Sequence, residues 1–158
     1  MLKPKFNIND FKKALEGKRE AFVQAAQLRL QRVGENFVNN ARNNGTYQDH
    51  TGNLRSSVGY RLYSNGVMVN ENFKALPAAS QIKDKELLAL IGVEKAQALL
   101  DEIATQYPRG LALVVVAGME YAAAVESKNF DVITGSGLIA AAELKKSFEE
   151  LQQKMNKS

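Results

Sequence analysis

The sequence predicts an α+β fold: a small antiparallel or mixed sheet of about four strands, packed against a long N-terminal helix and a C-terminal helix. Three observations predict it. From Phe11 to Ala41, apolar residues recur at steps of three, four and seven, the repeat of one helix face. Asn65-Gly66 then joins two short segments of strand character. The third is a Val-rich apolar run, Leu111 to Ala117, followed by a second amphipathic series near the C-terminus. At 158 residues, with 45% hydrophobic and 24% charged residues, the chain has the size and composition of one globular domain. The prediction is therefore a single domain over 1–158.

Asn9 or Asp10 can cap the first helix. Its apolar series is Phe11, Leu15, Phe22, Ala26, Leu30, Val33, Phe37 and Ala41. Gly17 and Gly34 each weaken a helix by about 1 kcal/mol relative to Ala, and a kink or break near Gly17 is expected. Asn43-Asn44-Gly45 is a stop signal. Some thirty residues of helix reach roughly 45–50 Å. That is more than the width of a compact domain of this size, so part of the helix is expected to pack on a neighbouring subunit.

Asp49, Thr51 and Asn53 are side chains that bond their own backbone in turns, and Gly52 tolerates positive φ. Val58, Tyr60 and Leu62 alternate onto one face of a strand. A type I′ turn at Asn65-Gly66 places Ser64 opposite Val67 and Leu62 opposite Val69, which predicts an apolar face continuous across both strands. Asn70 to Ser80 reads as a loop. Leu87, Leu88, Ile91, Ala96, Leu99, Leu100 and Ile103 predict helix, divided at Gly92 into two short pieces. Leu111 to Ala117, apolar throughout, reads as a central strand buried on both faces. Met119 to Ser127 fits one or two helical turns with Tyr121 and Val125 on one side. Asp131-Val132-Ile133-Thr134 is a candidate fourth strand. Ser136 can cap the last helix, whose predicted stripe is Leu138, Ala142, Leu144, Phe148, Leu151 and Met155.

The chain contains no Cys, which excludes a disulfide framework, a thiolate metal site and a thiol nucleophile. Residues 1–7 lack the apolar core of a signal peptide, and no apolar run approaches the roughly 18–20 residues a membrane span needs. The net charge is +4, with eight Lys or Arg before residue 33 against Asp10, Glu16 and Glu20. Such a helix can face an acidic partner or nucleic acid, or simply be a solvated face. The acidic residues interrupt the basic ones, and no aromatic ladder for base stacking accompanies them.

The residues offer little to build an active site. His50 stands beside Asp49, and Ser56 and Ser57 follow, but the remaining parts of a nucleophilic site are absent from the pattern; His50 reads as a surface turn residue. No His, Cys or carboxylate cluster has metal-ligand spacing, and no cofactor is expected. Gly135-Ser136-Gly137 lacks the Lys of a phosphate-binding loop and reads as a cap. Glu120 and Glu126 are not on one helix face and read as solvated side chains. Arg55 fits two roles equally: bridging to a carboxylate on a neighbouring subunit, or lining its own turn.

Asp49-His50-Thr51-Gly52-Asn53-Leu54-Arg55-Ser56-Ser57 resembles the D-T-G-x-L-R-x-S motif of the tail-completion, or neck, proteins of long-tailed double-stranded DNA bacteriophages, with His50 standing between the Asp and the Thr. Tyr121-Ala122-Ala123-Ala124-Val125-Glu126 is similar to the same family's Y-A-x-x-V-E segment, which follows a buried strand. The likeness covers roughly 11–69 and 111–151; the family has a much shorter connection between them, so the resemblance implies that 70–110 is a helical insertion within the domain. Ser127-Lys128-Asn129-Phe130 departs from the family's aromatic-Gly-Thr turn. The resemblance implies a virion structural protein without catalytic activity, forming a ring at the head–tail junction. Its partners would be its own copies and adjacent head and tail proteins, with possible passing contact with DNA and none with membrane. It would be found in the virion, and in the host cytoplasm during assembly. The implied interface candidates are Thr51, Gly52, Asn53, Leu54, Arg55, Tyr121 and Glu126. Two rivals stand beside it: a nucleic-acid-binding module using the basic N-terminal helix, and an enzyme with an unrecognised site.

Overall fold

The computed structural model describes residues 7–78 and 82–157. Lys3, Lys5 and the last residues of the predicted 70–80 loop lie outside them. The elements run α1 (Ile8–Asn44), α2 (Asn53–Ser56), β1 (Val58–Ser64), β2 (Val67–Asn72), α3 (Lys85–Ala104), β3 (Leu111–Ala117), α4 (Ala122–Glu126) and α5 (Thr134–Asn156). The α+β prediction holds in its main lines, but the described residues form a three-stranded antiparallel sheet rather than four strands.

Helix α1 is capped by Asn7, not by Asn9 or Asp10: the Asn7 side chain accepts the Asn9 amide at 3.0 Å. It runs unbroken through Gly17, which nothing touches, for 37 residues or about 55 Å. It ends at Asn44 as expected, although Gly45 is extended (φ −56°, ψ 129°) rather than left-handed. The two halves of α1 differ. Ala26, Leu30, Val33, Phe37, Val38 and Ala41 are buried against the sheet and α5, whereas residues 7–22 are exposed throughout. At Gly34 the helix crosses β1 so closely that a methyl group would lie 2.8 Å from the Tyr60 ring.

The sheet order is β2-β1-β3. The central strand is therefore β1, and the apolar run β3 is an edge, which corrects the sequence expectation. The outer face of β1, where Arg61 sits, is covered by α3, and Arg61 is neutralised there. Its guanidinium bonds Glu71 on β2 (Nη2 to Oε2, 2.9 Å) and Asp101 on α3, and the Tyr63 hydroxyl donates to the Leu100 carbonyl at 3.0 Å. Burial works to lower the Arg61 pKa, but its bonds with Tyr63, Asp101 and Glu71 outweigh that and raise it. The inner face of β1 (Val58, Tyr60, Leu62) packs on α1 in the main core.

The hairpin forms with Asn65 at φ 51° and Gly66 at φ 80°, the type I′ signature, and Ser64 pairs with Val67 as predicted. The register then shifts between Leu62 and Tyr63, so Leu62 opposes Asn70 and not Val69. This bulge breaks the predicted continuous apolar face, and Val67, Met68 and Val69 are left exposed.

Gly92 does not divide α3. It is where α3 meets α2, since a methyl there would collide with the Asn53 carbonyl oxygen. Ala89, Gly92, Ala96 and Leu100 form its buried stripe, and Gly118 after β3 lies directly against Ala96. Small residues let the backbones approach this closely. Residues 131–134 are not a strand but the entry to α5. Ser136 lies inside that helix, buried, and not at its cap. The core-facing side of α5 is Ala140, Leu144, Phe148 and Leu151; Leu138 and Met155, predicted to share it, are 70% and 48% exposed. Leu138 sits six residues before Leu144, which places it off the stripe.

Candidate functional site

The turn segment is built from short-range bonds. The Asp49 carboxylate accepts the Gly52 amide at 3.1 Å, and Gly52 adopts φ +81°, where a methyl would strike the Leu76 carbonyl oxygen. Thr51 Oγ1 accepts the Asn53 amide at 3.4 Å. One turn of helix, α2, follows and buries Leu54, Ser56 and Ser57. Ser56 Oγ accepts the Leu76 amide at 2.8 Å, and Ser57 Oγ donates to the Leu54 carbonyl at 2.8 Å. Both hydroxyls are thus committed to holding backbone.

The two sequence motifs meet. Leu54 of the turn packs with Ala122 of α4 and Val132, and Tyr47, Met119, Val125 and Ile133 close around them. Above this cluster lies a cleft of about 790 Å³. Tyr47, Leu54, Tyr121, Val125 and Phe130 supply its apolar surface, and Asp49, His50, Thr51 and Lys128 its polar rim. Of the predicted candidates, Thr51, Asn53, Leu54 and Tyr121 line it, and Gly52, Arg55 and Glu126 do not. Tyr47, Lys128 and Phe130 were not singled out from sequence. Tyr47 and Phe130 are isolated aromatics in loops, where no periodicity marks them.

Arg55 lies over its own turn, Nε 3.7 Å from Asp49 Oδ2. Burial pushes the Asp49 pKa up, against the pull of Arg55 and the Gly52 amide. Burial likewise raises the Tyr47 and Tyr121 phenols, with Asp49 adding to both. Both phenols are thus held in the neutral form.

Glu126 has a different role from the solvated one expected. Its Oε1 accepts the Ile133 amide (2.9 Å), the Thr134 amide (2.9 Å) and the Thr134 hydroxyl (2.8 Å). Asp131 Oδ1 accepts the Gly135 amide at 2.9 Å. Together they satisfy the open N-terminus of α5, where Ile133 occupies the cap position without a side-chain bond of its own. Burial works to raise the Glu126 pKa, but these bonds outweigh it and hold the carboxyl below its usual range. Glu120 instead pairs with Lys95 at 2.7 Å on the surface.

Among the described residues no group of three or more His, Cys, Asp or Glu is placed to hold a metal ion, and no helix is long and apolar enough to cross a membrane. The chain matches no family model, no curated protein and no solved structure.

Proposed function

We propose that this protein is a structural virion component of a phage or prophage, acting in head–tail joining or tail completion by assembling into a ring, without catalysis. The observation that carries the reading is the solvent exposure of the N-terminal half of α1. Ile8, Phe11, Leu15 and Phe22 are 61%, 51%, 59% and 37% exposed and follow one another at helical spacing. An apolar stripe of this length on a projecting helix marks a protein contact surface. Covering four such side chains is worth about 6 kcal/mol gross, from which the cost of association must be subtracted. The pairing of the Thr51–Arg55 turn with the Tyr121–Glu126 segment around one mostly apolar cleft supports the same reading. That cleft suits a docked side chain from a neighbouring protein better than proton chemistry.

Light scattering and negative-stain microscopy of the purified chain test this. The wild type is expected to form larger, ring-shaped assemblies as concentration rises, and Phe11→Glu with Leu15→Glu to abolish them without lowering the melting temperature. A wild type that neither associates by itself nor binds a phage head or tail protein would refute the reading. The exposed Lys12, Lys13, Lys18 and Arg19 on the same half favour a second reading, nucleic-acid binding. Tight, salt-steep affinity for duplex DNA would decide for it.

A further inference from the structure

The two edges of the sheet are built differently. The β2 edge is guarded by the bulge opposite Leu62 and Tyr63 and carries Glu71, both devices that discourage strand addition. The β3 edge has neither. Its seven residues, Leu-Ala-Leu-Val-Val-Val-Ala, contain no charge and no Pro, and they pair with β1 in unbroken register from Val58–Ala117 to Ser64–Leu111. Val114 and Val116 pack toward α3, while Leu111, Leu113, Val115 and Ala117 pack toward α1 and α5. Only Val116 is fully buried, and a cleft between α1 and α5 opens onto Leu111 and Leu113. On the side away from β1, no described strand pairs with β3.

We propose that β3 is a strand-pairing edge whose partner is β3 of a second copy, joined antiparallel about a two-fold axis at Val114. That register sets Leu113 opposite the partner's Val115 and Leu111 opposite its Ala117. Like faces meet, and both three-stranded sheets become one sheet of six. The charges at the strand ends choose the direction. Arg109 stands just before β3 and Glu120 just after it, and both are exposed. Antiparallel pairing brings each Arg109 near the partner's Glu120 at both ends, whereas parallel pairing would set Arg109 against Arg109 and Glu120 against Glu120. Lys95 holds one Glu120 oxygen at 2.7 Å, which leaves the other for the incoming guanidinium. This contact involves neither the exposed N-terminal half of α1 nor the turn cleft, and it does not rest on the virion reading.

The test uses the Phe11→Glu, Leu15→Glu background, so that helix-mediated association is already removed. In that background the chain is expected to be a dimer by light scattering, with the β3 amides protected from hydrogen exchange. Arg109→Glu or Glu120→Arg alone should weaken the dimer about tenfold, because each acts at two symmetric contacts, and the double reversal should restore it. Both residues are on the surface, so loss of fold does not confuse the result. A monomer at every concentration, a dimer with freely exchanging β3 amides, or reversals without effect would each overturn the proposal. If the β3 dimer persists while the ring contacts fail, only the assembly reading falls.

Discussion

Glu126→Ala isolates the contribution of one carboxylate to the last helix. The wild-type side chain answers three donors at the start of α5, two amides and a hydroxyl, at 2.8–2.9 Å. Loss of a side-chain N-cap costs about 0.5–2 kcal/mol, and a charged acceptor sits at the upper end of that range. The expected loss is about 2 kcal/mol, or roughly 4–8 °C in melting temperature for a chain of this size. Glu126→Gln keeps an acceptor oxygen and loses the charge, so about half the loss is expected. The pH dependence gives a second reading. The folded pKa lies below the unfolded value, so the stabilisation is present above the unfolded value of about 4.3 and disappears as pH falls through the folded one. Urea unfolding followed by circular dichroism at pH 7 and at pH 3 measures both effects, and the gap between wild type and Glu126→Ala should narrow at the lower pH. If the alanine variant melts within about 1 °C of wild type at pH 7, the cap is not what holds α5 in place.

Gly92→Ala should destabilise by about 2 kcal/mol or more in the same assay, despite the better helix propensity of Ala, because the added methyl meets the Asn53 backbone. Arg61→Ala should cost about 3 kcal/mol. Arg61→Met should lose less than half of that, since it fills the space while Glu71 and Asp101 can rehydrate from their partly exposed positions. In an NMR titration, Asp49 should lose its charge above the usual Asp range and Glu126 below the usual Glu range. For Asp49 the sign is opposite to that of Glu126: a raised folded pKa means stability is gained as pH falls from above the folded value to below the unfolded one. Asp49→Asn should therefore stay within about 0.5 kcal/mol of wild type at pH 7.

The features legible in the sequence are those set by local periodicity and turn chemistry. The N-terminal helix, the Asn65-Gly66 hairpin and the Gly52 turn all follow from residues adjacent in the chain. What was misread depends on contacts distant in sequence. The burial of Arg61 within β1 rests on Asp101, forty positions away on α3. The apolar run at β3 looked central because a strand's place in the sheet order leaves no trace in residue type. Gly92 carries the same signal whether it breaks a helix or admits a neighbouring backbone, and only the approach of Asn53 decides. Residues 131–134 have β-branched character, but Glu126 and Asp131 draw their amides into a helix start. At the candidate site, the convergence of the two motifs was not expected from sequence, and it comes through Leu54 and Ala122 rather than through the polar residues of either.

The guanidinium under α3 has a consequence for anyone who would recombine this chain. It is tied to the hairpin on one side and to α3 on the other, so these pieces form a lock with matched wards. A graft that exchanged residues 70–110 for a shorter connector would remove Glu71, Asp101 and the covering helix together. Any replacement segment that covers the sheet again would have to bring acidic partners for position 61, or that position would have to be made apolar in the same step.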